Sequence, residues 1–197
     1  MAKLISIIGP PAVGKTTLAR HLVKEMSGRF IREDFAGNPF LADSCIGKAD
    51  ARLPAQLYFL MSRVQQLSTT SWPEKGLLIS DYGFCQDRIF AQMNLTKAEL
   101  NIYEPLRLRM EKLVHQPDLL ILLDTEIPIL LDRIARRGRD FERVMDGKFL
   151  SDIRAAYEKA AGLMKCPVIR VDTGLINLRQ PAGRKELIKV IKEKARI

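Results

Sequence analysis

The chain of 197 residues has no apolar run near the roughly 20 residues of a membrane span, and the apolar stretch in MAKLISIIGPP is shorter than a signal-peptide core. A cytoplasmic protein with no membrane partner is expected. Cysteine is scarce: Cys45, Cys85 and Cys166 stand far apart with no C-x-x-C spacing, so neither a disulfide framework nor a zinc site is indicated. Aromatic residues make up 7% of the chain, with a single tryptophan, and none interleaves with basic residues as a base-stacking surface requires. No nucleic-acid partner is expected on that account. Low-complexity segments and internal repeats are absent too, which excludes disordered and solenoid classes.

What is present is an ordinary globular composition, 47% apolar and 28% charged, in a length that suits one domain over residues 1–197. Lys and Arg outnumber Asp and Glu by 32 to 23, and the formal charge of +9 suits an anionic ligand such as a phosphorylated small molecule. Much of the excess lies in RIARRGRDFER and in the C-terminal GRKELIKVIKEKARI, where Leu187, Ile188 and Ile191 recur at helical spacing. The latter reads as an amphipathic surface helix.

Short apolar runs alternate with longer segments of helical period, the pattern of an α/β domain with a mostly parallel sheet. Strands are expected in KLISIIG from Lys3, RFIRED from Arg29, GLLISDY from Gly76, PDLLILLDT from Pro117 and PVIRVDT from Pro167. Leu119 to Leu123 do not alternate in polarity, as expected of a strand covered on both faces. Helices are expected at 15–26, 54–71, 96–114, 126–137, 146–164 and 181–195, with Pro54 in the first turn of the second.

Between the first strand and first helix, GPPAVGKT satisfies G-x-x-x-x-G-K-S/T through Gly9, Gly14, Lys15 and Thr16. The spacing serves a purpose: backbone N–H groups must converge on phosphate oxygens at a helix N-terminus, where the dipole favours negative charge. Pro10 and Pro11 have no N–H, so Ala12, Val13, Gly14, Lys15, Thr16 and Thr17 are left to line the cradle. Lys15 is expected to reach the β- and γ-phosphates of ATP, and the Thr16 hydroxyl to hold Mg2+. Asp81 and Asp124, each ending a strand, both qualify as the second metal partner. Farther on, Arg133, Arg136, Arg137 and Arg139 crowd the end of a helix stopped by Gly138, placed to fold over a triphosphate.

These residues resemble the deoxynucleoside kinases, most closely the bacterial deoxyadenosine/deoxyguanosine type. The likeness runs from the first strand to about Glu158 and is strongest in NPFLADSC, AQLYFLMSR, SDYGFCQDRIFAQMN, RIARRGRDFE and AAYEK. It implies a three-layer P-loop kinase fold, with a five-stranded parallel sheet, helices on both faces and an arginine-rich lid. It also implies transfer of the γ-phosphate of ATP to the 5′-hydroxyl of a deoxynucleoside, in a homodimer or a heterodimer with a related subunit. By the same resemblance Glu33 is the general base, Gln56 binds the nucleobase, Arg63 and Asp87 lie near the base, and Glu142 accepts from the sugar 3′-hydroxyl. Arg133, Arg137 and Arg139 are then lid arginines, and Asp81 is favoured over Asp124 for magnesium.

Two positions depart from the family pattern. Tyr82 stands where an arginine would contact the 5′-hydroxyl region and the base carboxylate, and Cys45 where a tyrosine often lies near the 3′-hydroxyl. If Tyr82 limits acceptor chemistry, Tyr82→Arg is expected to raise turnover. Two other readings stay open: a P-loop kinase of a nucleoside monophosphate or another small acceptor, and an ATP-binding regulatory subunit impaired in catalysis. Acceptor-side carboxylates speak against a monophosphate.

Overall fold

The computed structural model describes residues 1–178 and 180–195. Five strands form one sheet: β1 (Lys3–Ile8), β2 (Arg29–Ile31), β3 (Leu77–Ser80), β4 (Leu119–Asp124) and β5 (Val168–Asp172). Their order is β2-β3-β1-β4-β5, and every pairing is parallel. Parallel neighbours need crossover connections, and helices supply them. The helices are α1 (Lys15–Met26), α2 (Leu41–Cys45), α3 (Ala49–Leu67), α4 (Cys85–Asn94), α5 (Lys97–Glu111), α6 (Ile127–Arg137), α7 (Gly147–Gly162) and α8 (Pro181–Ala195). Short 3₁₀ turns lie at Thr69–Ser71 and Asp140–Glu142.

Successive side chains on a strand point to opposite faces, so each strand feeds two cores. Ile5 and Ile7 of β1 pack with Leu18 and Leu22 of α1, Leu130 of α6, Leu150 of α7 and Ile191 of α8. Leu4 of β1 and Leu78 of β3 instead join Leu60 and Leu67 of α3 and Tyr103 of α5. Ile8, Leu120 and Leu122 meet Ile89 of α4 with Ile153 and Tyr157 of α7. Burial on both faces accounts for the unbroken apolar run in β4, and each such side chain contributes about 1.5–3 kcal/mol.

Three expectations change. Helix α3 begins at Ala49, so Pro54 lies inside it rather than in its first turn, flanked by the buried Ala51 and Ala55. Helix α4 was not expected, because its buried face carries Gln86 and Asp87 beside Ile89 and Ala91, which masks the apolar period. The short α2 buries none of its residues and gave no periodic signal. By contrast Thr96 caps α5 with a reciprocal box, its hydroxyl accepting from the Glu99 N–H while Glu99 accepts from the Thr96 N–H.

The strand order reverses direction at β1, which lies between β3 and β4. Ligands of open α/β sheets bind in the crevice beyond the carboxyl ends of strands at such a point. The loop after β1, Glu33 after β2 and Asp81 after β3 converge there.

Candidate active site

The loop leaving β1 is shaped by backbone that only small residues tolerate. Gly9 has φ +139°, and a Cβ there would collide with the Leu123 carbonyl oxygen of β4. Gly14, at φ +111°, caps α1 in the left-handed region and turns the chain into the helix. The first amides of α1 therefore lack intrahelical acceptors and face the loop's concavity, an anion site by geometry and dipole. The Lys15 ammonium folds back over this loop, donating to the carbonyls of Gly9 (2.7 Å) and Pro10 (2.9 Å). Burial lowers its pKa to about 8 against the pull of Glu33 and Asp81.

Thr16 and Asp81 meet beside the loop, the Thr16 hydroxyl donating to Asp81 Oδ2 at 2.5 Å. The other Asp81 oxygen accepts from the Glu33 N–H at 2.9 Å, which ties the end of β2 to the end of β3. Burial raises the Asp81 pKa, with the hydrogen bonds from Thr16 and Glu33 opposing it. Asp124, the other candidate, is held by Arg154 through two contacts of 2.7 Å. Thr16 and Asp81 together offer hard oxygen donors, a set that fits Mg2+ completed by phosphate oxygens and water.

A cavity of about 320 Å³ opens from the phosphate loop. Of the expected residues, Lys15, Thr16, Glu33, Gln56, Arg63, Asp81, Arg137, Arg139 and Glu142 line it, as does Cys45. Tyr82, Asp87 and Arg133 do not. Tyr82 is fully buried in the core beneath α3, where its hydroxyl donates to Gln66 at 2.7 Å; the apolar packing of its ring turns it away from the cavity. Arg133 instead grips the Thr173 carbonyl and hydroxyl at 2.8 Å each and reaches the Val13 carbonyl at 3.4 Å, bracing the phosphate loop from outside.

Asp87 lies under the wall and orders it. Arg63, only 3% exposed, pairs through Nη1 with Asp87 at 2.8 Å and through Nη2 with Glu33 Oε1. Burial works to lower the Arg63 pKa, but the Asp87 and Glu33 carboxylates outweigh it and hold the guanidinium charged. Burial raises the pKa of Asp87 in turn, against Arg63 and a 3.1 Å hydrogen bond from Tyr103. Gln56 donates to the Asp87 carbonyl at 2.9 Å and to the Tyr103 hydroxyl at 3.3 Å. A carbonyl can only accept, so the Gln56 amide is oriented with its oxygen left for a ligand.

At the opposite wall Arg137 clasps Glu142 with two donors, and Arg139 adds a contact of 3.3 Å. The Arg139 guanidinium lies 3.9 Å from the Phe35 ring centroid, a cation–π contact that leans the arginine loop on the segment after β2. Burial, then Arg137, lowers the Arg139 pKa. Cys45 has its thiol pushed up by burial and by Glu142. Sequence reasoning passed over Gln86 and the apolar walls Phe59 and Phe90; Gln86 lay within the quoted SDYGFCQDRIFAQMN, next to Asp87, and only its place on an unforeseen helix distinguishes it.

A phosphate loop on a parallel sheet, opening into a pocket that combines carboxylates and guanidiniums, defines the class of P-loop phosphotransferases. The chain belongs to the deoxynucleoside kinase family, whose model matches residues 5–195. It is 32% identical over 162 residues to the deoxyguanosine kinase of Bacillus subtilis (strain 168), covering 81% of this chain and 78% of that protein. To the deoxyadenosine kinase of Dictyostelium discoideum it is 30% identical, over 85% of this chain and 71% of that one. Among solved structures, the deoxyadenosine kinase from M. mycoides with bound dATP superposes with a TM-score of 0.80 at 21% identity, covering 99% and 100% of the two chains. The protein is thus a kinase by family and has the family's five-stranded parallel architecture. Among the described residues no helix is long and apolar enough to cross a membrane.

Proposed function

We propose that this deoxynucleoside kinase transfers the γ-phosphoryl group of ATP, with Mg2+, to the 5′-hydroxyl of a purine deoxynucleoside. The observation that carries the reading is a single cavity shared by Lys15 and Thr16 of the phosphate loop with Glu33, Gln56 and Glu142. Glu33 takes the 5′-hydroxyl proton as that oxygen forms its bond to the γ-phosphorus, and the bond to the β–γ bridging oxygen breaks to release ADP. Lys15 and the loop amides hold the phosphates, while Arg137 and Arg139 spread the charge of the moving group. Thr16 and Asp81 hold the metal, which neutralises phosphate charge when bound. Gln56 presents its oxygen to a base N–H, and Glu142 accepts from the 3′-hydroxyl. The homodimer expected from the resemblance belongs to the same reading.

Purine preference is supported by relatives named deoxyguanosine and deoxyadenosine kinases. A monophosphate acceptor finds little support, since Arg63 is already taken up by Glu33 and Asp87. The impaired-subunit reading loses one of its two supports, because the departure at Tyr82 falls outside the cavity, whereas Cys45 lines it. The test is ADP release from Mg-ATP with each deoxynucleoside, the ribonucleosides and dTMP beside a control without acceptor. Release driven most strongly by deoxyadenosine or deoxyguanosine is expected, and Glu33→Gln lowers it about a hundredfold with ATP binding intact. Release driven by dTMP alone, or by no acceptor, overturns the proposal.

A further inference from the structure

Glu33 has no regular element to hold its side chain: β2 ends at Ile31, two residues earlier, and the backbone beyond runs as loop. A carboxylate on a loop does not orient itself, yet proton transfer demands that one oxygen lie within hydrogen-bond reach of the donor. Two donors supply the missing constraint. Arg63 Nη2 and Gln86 Nε2, the latter at 2.6 Å, both fall on Glu33 Oε1. Among the described residues none falls on Oε2.

Gln86 itself is 3% exposed, sits in the first turn of α4 and lines the cavity. Its amide cannot be turned over, because its carbonyl would then face the carboxylate and two acceptors would meet. Pinned this way, Gln86 Oε1 is buried with no hydrogen-bond partner. Buried polar groups are rarely left so, and packing alone gives no reason for a glutamine here; the bond to Glu33 does.

On the kinase reading above, we propose that Gln86 is a positioning residue for Glu33. With Arg63 it locks Oε1 and presents Oε2 to the acceptor hydroxyl. The donor that Tyr82 does not provide is thus delivered from one turn along, by a side chain of different type and from a helix rather than a strand end. Gln86 touches no reacting atom; it acts through Glu33.

The test compares Gln86→Met, which keeps the volume and removes the donor, Gln86→Glu, which keeps the shape and opposes Glu33 with a second carboxylate, and Gln86→Lys, which keeps a donor. Steady-state kinetics with the best deoxynucleoside should show kcat falling about tenfold or more for the Met variant and further for the Glu variant, with acceptor KM moved by less than about threefold. The Lys variant should recover most of the loss. In a Glu33→Gln background, Gln86→Met should change kcat by less than about twofold, because its effect passes through Glu33. A wild-type rate in Gln86→Met, multiplicative losses in the double variant, or rates that follow melting temperature instead of donor capacity each overturn the proposal. If wild-type protein turns over no deoxynucleoside, the kinase reading itself fails and this role falls with it; the wild-type control separates that outcome from the others.

Discussion

Removing the Arg63 guanidinium leaves the Asp87 carboxylate fully buried, without its charge partner. The pair sits at 2.8 Å with Arg63 3% and Asp87 0% exposed. At an effective dielectric of about 20 their direct attraction is about 6 kcal/mol, most of it offset by desolvation of both groups. Breaking such a pair from one side costs more than the pair contributes, because the surviving charge keeps its desolvation penalty. Arg63→Met should therefore lose about 3–5 kcal/mol of unfolding free energy at neutral pH, a large share of the about 5–15 kcal/mol typical of a domain. Asp87→Asn should cost less, since Arg63 keeps Glu33. The double variant should fall short of the sum of the two losses by about 1–3 kcal/mol. The pH dependence has a definite sign. Burial raises the Asp87 pKa above its unfolded value, and losing Arg63 raises it further, so the penalty exists while Asp87 is ionised and is relieved as pH falls through the folded pKa. Urea unfolding followed by circular dichroism, at neutral pH and near about pH 5, measures both effects. Additive losses, or a loss in Arg63→Met that does not shrink in acid, would refute the reasoning.

Two further outcomes follow from the cavity. Lys15 has its pKa lowered to about 8 in the free protein, and triphosphate must bind the protonated form. ATP affinity should thus be full below that pH and weaken above it by up to about tenfold per unit; a dissociation constant that stays flat through alkaline pH in calorimetric titration sinks this. Tyr82→Arg should not raise turnover, because position 82 faces the core and Arg63 already lies 5.7 Å from the Tyr82 ring. It should instead destabilise by about 3 kcal/mol, read as a drop in thermal midpoint, and a faster kinase would show that the side chain reaches the cavity after all.

Much of the framework was legible because its signals are local. The phosphate loop announces itself through glycines at backbone positions where a side chain cannot fit, and Lys15 and Thr16 follow at fixed spacing on the helix it starts. The buried strands are continuous apolar runs. Helix α4 was hidden for the opposite reason: its inward face is polar, so period and burial disagree. The same cause hid Gln86, whose role depends on Glu33, 53 residues away in sequence.

The amino-acid sequence by itself determined the class of sheet, the phosphate loop and the residue types gathered around it, since these depend on short-range sterics, hydrophobic period and helix-end chemistry. Only the tertiary structure gave the two strand-end acids different partners, because Arg154 reaches Asp124 from a distant helix while Thr16 of the phosphate loop meets Asp81. It also turned Tyr82 into core, made Arg133 a brace and put Arg63 between two carboxylates. Those outcomes are set by packing between segments far apart in the chain, where burial decides whether a polar group meets a partner, a ligand or neither.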